Sequence, residues 1–519
     1  MSIDKLPDSV DLVVIGGGIT GAGILREGVR AGLNVLLVEQ RDFSWGTSSR
    51  SSKLVHGGLR YLKEGRFLLT KASVEERCRL MEEAPGLVEK LGFLWPVYQG
   101  QSPGRWSLAV GLMLYDLMAG VRQHKYMKKQ DFNALMPGLN QEGLKGGFVF
   151  HDAQVDDARL VLRLIFEAEK AGGRAANYTR AVDVARDEQG SVTGVVLKDV
   201  ETGGKKTVAT RVAINATGVW AENLHKSPDP GLHIRPLRGS HLMFPQSVLP
   251  VTQAVSFMNP ADKRPVFAIP WEGATLLGTT DVDHENGLNT DPAITEAEFS
   301  LLMRGVRHIF PGRNLKASDV VATFAGVRPV LSAGKKDPSK ESREHVVWVD
   351  KGLVTITGGK LTTFRRLAWD ALRAAKPFFS RNLRDARDAP VFEPPVSVPG
   401  DTRGLDAVQW RKLLGRYGAR AVDMVAGAQE KDLETIPGTH TIFAELAHAA
   451  RNEQVVHLDD LLLRRVRMGI LCPEGGSQYL DRIQELCGPG LGWDDNRWRE
   501  ERERYLDLWW RSYAPLTLK

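Results

Sequence analysis

The stretch that most constrains the fold runs from Val10 to Glu39. VDLVVI, Val10 to Ile15, is a short valine-rich apolar run and predicts a strand. It breaks at Gly16-Gly17-Gly18-Ile19-Thr20-Gly21, the spacing G-x-G-x-x-G. Ala22 to Ala31 predicts a helix, Val35 to Val38 a second strand, and Glu39 closes that strand. Strand, glycine turn, helix, strand and acid in this register make a β-α-β dinucleotide-binding unit, so the chain is committed to an α/β fold. Each residue type has a physical reason. Gly16 permits the tight turn, Gly18 lets a pyrophosphate approach the backbone, and Gly21 lets the helix lie close to the strand. The helix N-terminus, with Thr20 in its first turn, aims N–H groups and the positive dipole end at phosphates. The Glu39 carboxylate accepts from ribose hydroxyls.

The fingerprint alone does not say which nucleotide is bound. It has no second copy: GPGLG at Gly488 to Gly492 lacks the spacing and the preceding strand. At roughly 150 residues per domain, a chain of 519 residues predicts two to four domains. The net charge of +6 suits anionic partners without choosing among them. Three cysteines, Cys78, Cys472 and Cys487, form no CxxC pair, which argues against a zinc site, a redox dithiol or a disulfide framework and fits a reducing cytosol. No basic segment precedes the first apolar run as in a secretory signal, and no run reaches the ~18 apolar residues of a spanning helix. DVDHENGLNTD, Asp281 to Asp291, fails as a calcium loop because Asn286 stands where glycine is needed and Pro292 where glutamate is needed. No metal is expected. No Lys/Arg run is interleaved with aromatics, so nucleic acid is not expected either.

Further along, WSLAVGLMLYDLMAGV, Trp106 to Val121, is apolar apart from Asp116 and is flanked by Arg105, Arg122, Lys125, Lys128 and Lys129. It reads as a core helix first and as a helix lying in a membrane interface second. Val155 to Lys170 has 3.6-residue periodicity and predicts an amphipathic helix. Gly173 to Asp199 alternates like a meander, and Arg211 to Asn215 predicts a strand ending in Ala216-Thr217-Gly218. Residues 232–350 hold many short strand-like runs. After Val354 come a strand, the Gly358-Gly359 turn and a helix carrying Lys360, Leu361 and Thr362 at its start. A proline-rich stretch near 390–402 predicts a linker, and the remainder is helical by pattern.

TSSRSSKLVHGGLRYL, Thr47 to Leu62, gathers Thr47, Ser48, Ser49, Ser51, Ser52, Lys53, His56, Gly57, Gly58, Arg60 and Tyr61. Its hydroxyls can donate to phosphate oxygens, its glycines leave room for a flat ring, and Arg60 can clamp a phosphate with two parallel hydrogen bonds. A solvated loop is the competing reading.

VVIGGGITGAGI, TSSRSSKLVHGGLRYL, VDDARLVL, NATGVW, RGSHLMFP, IPW, GTTDVD, AGVRPV and GGKLTTFR, in that order, resemble the FAD-dependent glycerol-3-phosphate dehydrogenases of the aerobic, quinone-linked type. HLDDLLLRRVRMGI resembles that family's helical cap, so the resemblance runs from about residue 10 to past residue 470. It implies an FAD-binding Rossmann-like domain interleaved with an antiparallel β substrate domain, plus an all-α C-terminal domain. The boundaries expected are 8–75, 151–230 and 346–389 for FAD binding, 76–150 for a substrate or membrane-facing part, 231–345 for substrate, 390–402 for the linker and 403–519 for the cap. The implied reaction oxidises sn-glycerol 3-phosphate to dihydroxyacetone phosphate by hydride transfer from C2 to FAD N5, with a quinone, or alternatively oxygen, taking the electrons. Another small phosphorylated alcohol is an alternative substrate.

The same resemblance places Thr47, Ser48, Ser49, Ser52, Lys53, His56, Gly57, Ala216, Gly218, Gly358, Gly359, Lys360, Leu361 and Thr362 along FAD. Arg60, Tyr61, His241, Thr279, Arg328 and Lys360 are expected at the substrate. His56 and His241 compete as the proton acceptor, since histidine titrates near the working pH. A peripheral position on the inner face of the cell membrane, in the cytoplasm, is expected, and a homodimer is left open.

Overall fold

The computed structural model describes residues 3–58, 67–120, 123–229, 233–332 and 344–518. Arg60, Tyr61 and Arg122 lie outside these.

The predicted β-α-β unit is present as the strand Leu12–Ile15, the helix Ile19–Arg30 and the strand Val35–Val38. These strands pair in parallel and every residue in them is buried. Their sheet has six strands among the described residues, and the others come from far along the chain: Arg174–Ala176, Ala213–Asn215, Leu353–Gly358 and His345–Asp350. Only the last pairing is antiparallel. Parallel strands need coverage on both faces. The helices Ile19–Arg30, Asp157–Lys170 and Phe364–Ala375 pack in one core with the sheet.

A three-stranded antiparallel sheet of Thr179–Arg186, Val192–Asp199 and Lys205–Ala209 is the meander expected after Gly173. The large sheet joins segments before and after it: Val88–Tyr98 and Leu144–Val155 pair with each other, and His233–Pro245 pairs with both Ala322–Ser332 and Ala274–Gly278. It is antiparallel except where Ala254–Met258 runs parallel to Val88–Tyr98. The rest, from Ala407–Tyr417 to Asp495–Ser512, is helical apart from one isolated bridge between Thr435 and Ile442.

The helix predicted over Val155 to Lys170 is present as Asp157–Lys170, and it is buried from Asp157 to Ala168. The C-terminal helical region covers its charged side: Arg159 donates to both Glu453 oxygens at 2.7 and 2.8 Å, and Arg163 to the Gly415 carbonyl at 2.5 Å. The stretch at 390–402 has no helix or strand, and its start is anchored. Val391 and Phe392 are buried, and the Val391 carbonyl accepts from Arg26 Nε at 2.7 Å.

The Arg105–Met118 helix divides its apolar side chains between two faces. Leu108, Leu112 and Tyr115 are buried, while Trp106, Val110, Met113 and Leu117 are exposed at spacings of four, three and four residues. The core reading therefore describes one side of it, and the other side is an exposed apolar stripe. Among the described residues no helix is long and apolar enough to cross a membrane.

Candidate active site

The glycine turn is built as the sequence predicts, and the space left by missing side chains is occupied. A Cβ on Gly16 (φ +114°) would lie 2.7 Å from the Ala216 carbonyl oxygen, and one on Gly21 only 1.8 Å from that of Gly16. Gly21→Ala must therefore move backbone against backbone. Overpacking of this kind costs about 1–3 kcal/mol, so a lower melting temperature and purified protein depleted of flavin are expected. An unchanged melt with full flavin content would contradict that reading of the turn.

Gly18 is the N-cap of the Ile19–Arg30 helix and brings no side chain to it. Ser48 Oγ reaches in instead, accepting from Ile19 N–H at 2.9 Å. Glu39 accepts from the Gly17 and Arg41 N–H groups at 2.7 and 2.9 Å, which fixes its carboxylate at the end of the second strand. Beside this turn, Ala216 N–H donates to the Ile15 carbonyl at 2.8 Å, and Thr357 Oγ1 to the Gly218 carbonyl at 2.9 Å. Gly218, Gly358 and Gly359 all have positive φ, which glycine adopts without strain. Lys360 opens the short turn Leu361–Thr363, its N–H donating to Thr363 Oγ1 at 3.1 Å, and Thr362 is buried. Backbone turns and an N-terminus without a cap of its own, facing hydroxyls, form a donor set suited to a pyrophosphate.

The Thr47–Lys53 segment leads from this cradle to the large sheet. Thr47 Oγ1 donates to the Val327 carbonyl, and Ser52 Oγ lies 2.9 Å from His241 Nε2. The Ala322–Ser332 strand then presents Arg328, whose Nη2 donates to Thr279 Oγ1 at 3.1 Å and whose Nη1 lies 3.3 Å from Asp281 Oδ1. Gly239 makes room: a Cβ there would sit 2.2 Å from the guanidinium. Thr279, His241 and Arg328 come together because His241 pairs with Gly278 on one side and Phe324 on the other.

His241 is wholly buried and stacks on Phe324 at 4.6 Å. Among the described residues no hydrogen bond reaches its Nδ1. Burial, with Arg328 and Lys53 nearby, pushes its pKa well below the usual histidine value, so the ring is neutral. His56 is partly exposed at the end of the strand Leu54–Val55.

Lys53, read from sequence as a cofactor contact, is turned the other way. Its ammonium is buried, donating to both Asp157 oxygens at 2.8 and 2.9 Å and to the Ser49 carbonyl at 2.6 Å. Burial and the neighbouring Arg467 push its pKa down to about 7, and Asp157 opposes them. Carboxylates of the rejected calcium loop have partners: Asp291 pairs with Arg50, and Asp283 with Arg235.

Sequence reasoning missed Tyr115, Asp152 and Arg77. Tyr115 Oη accepts from Gly57 N–H at 2.8 Å and donates to Asp152 at 2.8 Å, and Arg77 donates to both. No local signal marks them, since the contact joins residues 58 apart.

Residues 11–365 match the family model described as FAD dependent oxidoreductase, and residues 356–498 match that of the C-terminal domain of alpha-glycerophosphate oxidase. An aerobic glycerol-3-phosphate dehydrogenase of Staphylococcus haemolyticus is 33% identical over 522 residues, covering 95% of this chain and 93% of the relative. The chain belongs to the FAD-dependent glycerol-3-phosphate dehydrogenase family. A Staphylococcus aureus dehydrogenase of the same name is 35% identical over 88% of this chain and 86% of its own. The solved glycerol-3-phosphate dehydrogenase of Bacillus halodurans, complexed with FAD, superimposes with a TM-score of 0.76 at 26% identity, covering 97% of this chain and 95% of that one. FAD is the cofactor of this family, and the glycine cradle, the Ser48 contact and the Glu39 geometry fit its dinucleotide half.

Proposed function

We propose that this dehydrogenase oxidises sn-glycerol 3-phosphate to dihydroxyacetone phosphate and that its electrons pass to a membrane quinone. The observation that carries the reading is the convergence of Arg328, Thr279, His241 and Ser52 beside the cofactor segment. FAD, when bound, accepts the hydride from the alcohol carbon. The chain's residues do the rest. Arg328, with Arg60, binds the phosphate dianion, Thr279 holds the guanidinium in plane, and Tyr61 and Lys360 complete the substrate pocket. His56 takes the hydroxyl proton, because a base must touch its substrate and His56 is the more open ring. His241, buried behind Ser52, acts through that hydroxyl. Glu39, Thr47, Ser48, Ser49, Ala216, Gly218, Gly358, Gly359, Leu361 and Thr362 hold the cofactor.

A comparison of substrates tests this. Losing a charged hydrogen-bonded partner costs about 2–5 kcal/mol, so glycerol should be oxidised with a kcat/KM roughly a thousandfold below that of sn-glycerol 3-phosphate. Equal turnover of the two would end the phosphate reading.

The quinone reading is supported by the exposed face of the Arg105–Met118 helix. Trp106 and Leu117 are each 77% exposed, and Lys125, Lys128 and Lys129 lie exposed just beyond it. An apolar stripe with basic neighbours suits the surface of an anionic bilayer. Trp106→Glu with Leu117→Glu is expected to weaken sedimentation with anionic vesicles at least tenfold while substrate still reduces the flavin. Undiminished vesicle binding would refute this face as the contact, and stoichiometric hydrogen peroxide without quinone would favour oxygen as acceptor.

A further inference from the structure

We propose that Arg467, supplied by the C-terminal helical region, is a positioning residue that holds the Thr47–Lys53 segment in its cofactor-facing conformation through Asp157 and Lys53. The proposal rests on the reading of that segment as cofactor-facing.

The segment has two sides. Ser48 and Ser52 turn toward the glycine cradle and His241. The Ser49 carbonyl, Ser51 and Lys53 turn toward a buried clamp centred on Asp157. Asp157 Oδ2 accepts from the Ser51 N–H at 2.9 Å and from Ser51 Oγ at 2.7 Å, and both carboxylate oxygens accept from Lys53 Nζ. Arg467 closes the clamp: its Nη2 donates to the Ser49 carbonyl at 2.7 Å and lies 3.3 Å from Asp157 Oδ1. Its Nη1 donates to the Leu463 carbonyl at 2.8 Å, tying the same guanidinium to its own helical region.

Lys53, Asp157, Arg467 and Asp156 are all buried, with Asp156 3.8 Å from Arg467 Nε, so a lysine and an arginine face two carboxylates. Lys53 and Arg467 both have positive φ, at 59° and 61°, a conformation non-glycine residues hold only when their surroundings fix it. Residue 467 falls in the stretch matching the second family model, whereas residues 49–53 and 157 fall in the first. One planar fork with several fixed donors therefore joins the two regions where the cofactor segment bends, a role a lysine's point charge reproduces only in part.

Flavin-stripped full-length protein is titrated with FAD, following flavin fluorescence, and each variant is also melted. Arg467→Gln is expected to raise the FAD dissociation constant at least tenfold, and Arg467→Lys to recover part of the loss. Arg504→Gln removes a cap ion pair to Asp459 that does not touch the segment. It is expected to lower the melting temperature without changing FAD affinity. If Arg467→Gln does not accumulate as folded protein, Ser51→Ala, which removes one hydroxyl from the clamp, is expected to raise the constant about threefold. An unchanged constant in the folded Arg467→Gln or Ser51→Ala variant overturns the proposal, as does an equal loss in Arg504→Gln. Ser48→Ala separates the layers. If it weakens FAD while Arg467→Gln does not, only the clamp fails; if neither weakens FAD, the cofactor-facing reading of the segment fails with it.

Discussion

Replacing Arg328 by alanine is expected to lower kcat/KM for sn-glycerol 3-phosphate by roughly 30- to 5,000-fold while FAD stays bound. The range is the about 2–5 kcal/mol lost when one partner of a hydrogen-bonded charge pair is truncated. Most of the loss should fall on KM, because the phosphate is remote from the reacting carbon and is bound in ground and transition states alike. The geometry explains why arginine stands there. Thr279 and the Thr280 carbonyl orient the guanidinium, Asp281 sits alongside, and Gly239 lacks the Cβ that would displace it. Arg328→Lys should recover little, since an ammonium cannot form a planar two-point contact with a phosphate. Flavin content rules out a cofactor effect. A kcat/KM within threefold of the parent would remove Arg328 from the substrate site.

The second large effect separates the two histidines. A positioned general base contributes about 10²–10⁴-fold, so His56→Ala should lower kcat by that order. His241→Gln should cost far less in rate but change the pH dependence of stability. Burial and the nearby cations hold the folded His241 pKa well below the usual value. The unfolded chain therefore binds this proton more readily as pH falls below ~6.5, and the folded state loses stability toward acid by up to about 1.4 kcal/mol per pH unit. Removing the ring should flatten that slope between pH 6.5 and 5 and leave stability above pH 7 without a pH-dependent change from this residue. Urea unfolding across that range measures it. An unaltered acid slope would show that His241 is not held neutral by the fold, and a larger rate loss in His241→Gln than in His56→Ala would reverse the two roles.

The contiguous parts of this fold were legible in the sequence. Val10 to Glu39 carries strand, turn, helix and acid within one short stretch, so composition and spacing suffice, and the structure differs only at element ends, with the strand at Leu12–Ile15 and the helix at Ile19–Arg30. Arg211 to Asn215 and the run after Val354 were legible as strands, but their order in the parallel sheet was not, because it is set by which buried faces meet across the chain. The Asp157–Lys170 helix shows the same limit. Its periodicity was visible, but the partner of its Arg159 lies 294 residues away at Glu453. Lys53 was placed along the cofactor by resemblance, and nothing local marks the partner of its ammonium, Asp157, 104 residues on. Thr279, Arg328 and His241 were singled out by motif, and only strand register showed that they share a corner.

The most direct test of the whole account is the visible spectrum of the purified holoprotein, taken anaerobically before and after adding sn-glycerol 3-phosphate. The account predicts an oxidised flavin band that bleaches with sn-glycerol 3-phosphate and persists with an equal concentration of glycerol. A flavin band that sn-glycerol 3-phosphate leaves unbleached would contradict it.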